Sequence, residues 1–205
     1  MENKKPVKLP FGKTIFQSSS GQSITSDTAF IVKTVLRHFK QERLSVLEPG
    51  SGNGIISIML SYYRPTWQIT GIDIQPHLVK LAKENSRLAE VDTIFLCSDL
   101  KSFSAKEKFN LIISNPPYYA IADGKISPNR ERAISRHEIM CTMHDVLLAV
   151  KRNLNPEGKA CLLYPISRIN ELLDSAKRVD LKFEEKIIFS KTENKKRVLV
   201  VLSYA

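Results

Sequence analysis

Apolar and polar positions along this chain alternate between two rhythms. Ile31, Val35, Leu36 and Phe39 recur at helical spacing behind Thr25-Ser26-Asp27, which offers N-cap residues, and predict a helix to about residue 40. Short apolar runs of strand length follow at 44–47, 67–72, 93–96 and 109–114. Between them the helical spacing resumes at 55–63, broken by Pro65, and at 76–88, opened by Pro76. Further on the pattern predicts a helix at 137–154, a turn at Asn155-Pro156-Glu157-Gly158, a strand at 159–163 and a helix at 166–179. Two closing strands are predicted at 183–189 and 198–203. Strand and helix therefore alternate five times before the last two strands, which implies an α/β fold: a mostly parallel sheet with helices on both faces. No internal repeat and no inner Gly/Ser- or Pro-rich linker divides it. The expected organisation is a basic N-terminal arm, 1–24, and one domain, 25–205.

The arm interleaves Lys4, Lys5, Lys8 and Lys13 with Pro6, Pro10, Phe11 and Gly12. It reads either as cations for a phosphate backbone or as a frayed, solvated terminus. Composition narrows the class. At 205 residues and 42% hydrophobic, the chain can bury a core, which excludes overall disorder. No apolar run approaches the ~20 residues that span a bilayer, and residues 1–6 lack the apolar stretch of a secretory signal. Cys97, Cys141 and Cys161 fit no disulfide or metal framework, and no metal is expected. Cys97 and Cys161 lie in strand-like runs and read as small core residues. A reducing, cytoplasmic setting is expected. The net charge of +10 favours a polyanionic partner through steering and counterion release.

Candidate chemistry gathers at predicted strand ends. Glu48-Pro49-Gly50-Ser51-Gly52-Asn53-Gly54 joins a strand to a helix, where glycines permit a tight turn and close approach to a ligand. The spacing is not the dinucleotide fingerprint. Asp73 ends the next strand, where a carboxylate can take both ribose hydroxyls, with Ile74 after it. Asp99 ends the third, where it can accept from an adenine amine. Taken singly, each acid also reads as a helix cap or a solvated loop residue. The fourth strand delivers Asn115-Pro116-Pro117-Tyr118. Two prolines fix two φ angles and remove two N–H donors, making a stiff shelf or a rigid turn. As a shelf it suits a conjugated amine: the Asn115 side-chain oxygen and the Pro116 carbonyl hold its two hydrogens, and Tyr118 stacks a base, worth roughly 1–3 kcal/mol. All four strand ends share one rim, where ligands of open α/β sheets collect.

These motifs, with Gly71-Ile72-Asp73-Ile74, resemble those of class I S-adenosylmethionine-dependent methyltransferases. The resemblance implies a three-layer Rossmann-like fold, with a seven-stranded, mostly parallel sheet and a final antiparallel strand. It implies S-adenosyl-L-methionine as cofactor, bound by Glu48, Gly50, Gly52, Asp73, Ile74, Asp99 and Asn115. It assigns the catalytic shelf to Asn115, Pro116, Pro117 and Tyr118. Such tetrads serve adenine N6-methyltransferases, enzymes that methylate a release-factor glutamine, and some guanine-N2 methyltransferases of ribosomal RNA. Release-factor enzymes carry an N-terminal helical domain, whereas only about 24 residues precede the first helix here; DNA adenine enzymes add a recognition domain.

Arg132-Ala133-x-x-Arg136-His137-Glu138 and the Ser-Asp stretch at 23–27 resemble the bacterial tRNA(1)(Val) adenine-N6-methyltransferase family, which acts at position 37. Tyr119 stands where members often have Phe. This implies a tRNA substrate and a monomer. Lys125, Arg130, Arg132 and Arg136 make a basic loop that either clamps RNA phosphates or pairs with nearby acids. His137 reads as structural at a helix start, and Lys191, Lys195, Lys196 and Arg197 as a solvated turn. The rival of a different class is a non-catalytic RNA-binding protein that holds the cofactor as a structural or sensory ligand.

Overall fold

A computed structural model describes residues 4–18, 26–118, 139–190 and 196–205. Seven strands form one sheet: β3 Ser45–Pro49, β4 Gln68–Asp73, β5 Ile94–Cys97, β6 Phe109–Ser114, β7 Leu154–Pro165, β8 Leu181–Ser190 and β9 Lys196–Tyr204. Their spatial order is β5-β4-β3-β6-β7-β9-β8. The pairs from β5 to β7 are parallel, and β9 inserts antiparallel between β7 and β8. The predicted α/β architecture with one antiparallel strand is the observed one.

Strands packed on both faces need apolar side chains on both, hence their nearly continuous hydrophobic runs. Leu111 and Ile113 of β6 enter one core with Val46, Ile69, Cys161 and Val201. Ile112 between them points to the other, with Leu47, Leu162 and Val200. The first face is covered by α1 Ser26–His38, α2 Ile55–Tyr63 and α3 Pro76–Ala89, the second by α4 Met143–Asn153 and α5 Ile169–Arg178. α3 shows why such segments form: Pro76 occupies the first turn, and Leu78, Val79, Leu81, Ala82, Asn85 and Ser86 make one buried stripe.

Residues 4–18 differ from a frayed terminus. β1 Lys4–Lys8 and β2 Thr14–Ser18 form an antiparallel hairpin that turns through Gly12 at φ 88°. Ile15 and Leu9 are buried in the first core, and Phe11 stacks on Tyr62 with centroids 3.7 Å apart. The fully buried Asn85 of α3 holds the hairpin by its backbone: Oδ1 accepts from Phe16 N at 2.8 Å and Nδ2 donates to Phe16 O at 2.8 Å. Lysines and prolines hid the few apolar positions, Val7, Leu9 and Ile15, of which Val7 and Ile15 pair across the hairpin.

Three further expectations shift. The helix placed at 137 begins at Met143, because Thr142 and Asp145 form a reciprocal capping box there; residues 137 and 138 lie outside the described set. The expected turn at 155–158 lies within β7, where the register steps from Phe109↔Leu154 to Leu111↔Lys159. Proline is tolerated at such a bulge. Cys161 is buried, its thiol pushed up to about 12 by burial, but Cys97 is exposed, because β5 is an edge strand.

Candidate active site

β3 has β4 on one side and β6 on the other, so the chain reverses direction across the sheet at β3, and the crevice there faces the strand carboxyl ends. Gly50, Gly52 and Gly54 turn the chain from β3 into α2 with φ of 73°, 55° and 82°, a region that disfavours a side chain. The amides of Gly50 and Ser51 both donate to Ile72 O, at 2.8 and 3.0 Å. Two glycines are also excluded from change by space. A Cβ at Gly54 would lie 2.6 Å from Phe95 Cζ, and one at Gly71 2.7 Å from the same ring.

Asp73, at the end of β4, is fixed by both oxygens: Oδ2 accepts from Gly52 N at 2.8 Å and Oδ1 from Gln75 N at 2.9 Å. Glu48 is buried beneath the loop, its Oε2 accepting from Ser57 N at 3.0 Å and from the Ser57 hydroxyl. Burial pushes its carboxyl up to about 8, against the opposing effect of the Ser57 bonds; the nearby Asp73 charge adds to the rise. Asp99, after β5, accepts from Lys101 N at 2.9 Å.

The fourth strand end is tied to the first by Ser114, whose hydroxyl donates to Pro49 O at 2.8 Å. Asn115 follows, its Oδ1 buried and without a hydrogen-bond partner among the described residues. Glu48, Gly50, Gly52, Asp73, Ile74, Asp99 and Asn115 all line one cavity of about 170 Å³, together with Pro116 and Pro117. Tyr118 is buried beside this group in the second core, with the Arg197 guanidinium carbon 4.7 Å from its ring centroid. Arg197 therefore departs from the expected solvated turn. Lys125, Arg130, Arg132, Arg136 and His137 fall outside the described residues.

Sequence reasoning missed Gln17, Ser18, Thr28, Met140 and Cys141, which also line the cavity. Gln17 and Ser18 lie on β2 of the hairpin that lysines and prolines hid, so neither left a readable signal. Met140 and Cys141 follow no motif. Among the described residues no cluster of His, Cys, Asp and Glu able to hold a metal is brought together, and no helix is long and apolar enough to cross a membrane.

Residues 20–134 match the methyltransferase small domain family. The chain belongs to that family. A tRNA1(Val) (adenine(37)-N6)-methyltransferase of Porphyromonas gingivalis is 29% identical over 133 residues, covering 62% of this chain and 51% of that protein. A release factor glutamine methyltransferase of Streptococcus pneumoniae is 34% identical over 97 residues, covering 47% of this chain and 34% of that protein. The chain thus spans about half the length of the first of these curated relatives and a third of the second. A methyltransferase from Pyrococcus furiosus has the same fold, with a TM-score of 0.70 at 19% identity, covering 96% of this chain and 91% of that one. In this methyltransferase domain the family match takes in the glycine loop, Asp73, Asp99 and the Asn-Pro-Pro-Tyr shelf.

Proposed function

We propose that the domain transfers a methyl group from S-adenosylmethionine to the N6 amino group of an adenosine in tRNA, at position 37 of valine tRNA. The observation that carries this reading is the buried Asn115 oxygen, an acceptor without a partner among the described residues at the wall of the cavity. Leaving such an atom unpaired costs about 1–3 kcal/mol, a cost that a bound donor removes.

The residues present fit the cofactor. The glycine loop offers bare backbone, and Asp73 and Asp99 stand at successive strand ends to take ribose hydroxyls and an adenine amine. Glu48 and Ile74 complete that wall. When bound, S-adenosylmethionine supplies an electrophilic methyl group. The chain's own work is positional and electrostatic. Asn115 Oδ1 accepts one hydrogen of the target amine and the Pro116 carbonyl the other, which turns the nitrogen lone pair out of conjugation and towards the methyl donor. Pro116 and Pro117 keep both acceptors in place for a base flipped from its stack, and Tyr118, buried in the second core, anchors the end of the shelf instead of stacking the base. The amine's surplus proton is acidic once the nitrogen is alkylated, so no strong base is required. Lys125, Arg130, Arg132 and Arg136 contact tRNA phosphates, consistent with the charge of +10. The setting is the cytoplasm and the acting form a monomer.

A second reading is methylation of a release-factor glutamine, favoured by the Streptococcus pneumoniae relative and by the chemistry of a planar amide. The tRNA reading has the longer alignment, 133 residues against 97. Incubation with labelled cofactor and tRNA, ribosomal RNA or release factor separates them. Label is expected in tRNA, in N6-methyladenosine. Label confined to release factor or to ribosomal RNA overturns the tRNA assignment, and no label in any of them supports a non-catalytic binder. Asn115→Ala should lower transfer about 10²–10³-fold while cofactor affinity changes less than about twofold.

A further inference from the structure

The amine shelf is anchored at its Asn115 end by β6, but its Tyr118 end extends beyond the sheet and needs a hold of its own. Two arginines reach it from separate elements. Arg168, at the turn after β7, donates from Nη1 to the Tyr118 carbonyl at 2.9 Å. Its remaining fork is taken by Glu171: Nε donates to Oε2 at 2.8 Å and Nη2 to Oε1 at 2.5 Å. Arg197 of β9 stacks over the Tyr118 ring, and its Nε lies 3.8 Å from Asp27 Oδ2 in the first turn of α1. Both arginine side chains are largely buried, at 14% and 16% exposed, so neither is an ordinary surface charge.

We propose that Arg168 and Arg197 are positioning residues that hold the tyrosine end of the amine shelf, one by its backbone carbonyl and one by its ring. The arrangement needs arginine. A guanidinium can bridge a carboxylate and a carbonyl through one planar fork, and can lie flat on a ring while still facing an acid at its edge. A lysine has one compact ammonium and cannot hold both partners at once. Two hydrogen bonds to Glu171 set the angle of the Arg168 guanidinium, and Asp27 faces that of Arg197 as an ion pair, so the shelf is linked to α5 and to α1. Tyr118 follows two prolines of fixed φ. A shift of its backbone, whether at the carbonyl or through displacement of the whole ring, is therefore passed to the Pro116 carbonyl and Asn115 as a displacement of the acceptors. Misplacement on the scale of 1 Å can cost about 10²-fold in rate.

The inference rests on the reading of the tetrad as an amine acceptor, and applies to whichever macromolecule carries the amine. The test uses the full chain with the substrate that the wild type labels. Arg168→Lys and Arg197→Met should each lower kcat about 10-fold to 10²-fold, with cofactor affinity held within about twofold. Arg197→Lys, which keeps a cation near the ring, should recover part of the loss and carries the test if Arg197→Met does not fold. Tyr118→Leu combined with Arg197→Met should be no slower than Tyr118→Leu alone, since the two act as a unit. Unchanged kcat, additive losses, or a parallel fall in cofactor affinity would overturn the positioning role. A wild-type protein that labels neither tRNA, ribosomal RNA nor release factor would instead overturn the amine reading, and the inference with it.

Discussion

The Gly52 amide donates to Asp73 Oδ2 at 2.8 Å, so the tip of the glycine loop is fixed by the same carboxylate that faces the cavity. Loop shape and one wall of the cavity thus depend on the same side chain. Asp73→Asn leaves one acceptor but places an NH₂ against either Gly52 N or Gln75 N, both of which are donors. The variant should lose about 1–3 kcal/mol of stability and bind the cofactor about tenfold or more weakly. Denaturant titration and calorimetric binding measure the two effects separately.

Gly54→Ala meets two obstacles together. Its φ of 82° is strained for alanine, and the new methyl would contact the Phe95 ring, itself buried and unable to swing clear. A loss of about 2–4 kcal/mol is expected from strain and overpacking combined, read from the shift in denaturant midpoint. Gly12→Ala in the hairpin turn has the strained φ of 88° but nothing within contact distance, and should cost only about 1 kcal/mol.

Asn85→Ala removes two bonds to the Phe16 backbone and a third to Asn53 O at 3.0 Å. It should destabilise the domain by about 2–3 kcal/mol. The hairpin should open to trypsin at Lys8 and Lys13 before the sheet unfolds. Cofactor affinity should also fall, because Gln17 and Ser18 of that hairpin line the cavity.

Glu48 predicts a pH dependence with a definite sign. Its carboxyl titrates at about 8 in the folded chain against an ordinary 4.5, so between those values the folded state keeps a proton that the unfolded chain has released. Stability therefore falls as pH rises through that interval, by at most about 1.4 kcal/mol per pH unit for one proton, and levels off above it. Glu48→Gln should flatten the slope, and chemical denaturation at pH 5, 6, 7 and 8 would show it.

What the chain revealed in advance follows from the reach of each signal. α2 was readable to the residue, at 55–63, because a glycine loop precedes it and Pro65 stops it. The cavity-lining acids were legible because each ends an apolar run. The hairpin was not, since its short apolar positions are diluted by lysine and proline. Arg197 was lost for a different reason. In the run Lys195-Lys196-Arg197 three cations look alike, and only the alternation of β9 decides that Arg197 lies over Tyr118. A ring contact between residues 79 positions apart leaves no local trace.

The placement of β9 between β7 and β8 sets an order of events during synthesis. β8 leaves the ribosome before the strand that joins it to the sheet, and at about 5–20 residues per second it waits a second or more for that partner. The glycine loop and Asp73 are made long before, whereas the tyrosine end of the shelf acquires Arg197 only with β9. The two halves of the cavity wall are thus completed at different times, and the last residue to reach the shelf arrives with the closing strand.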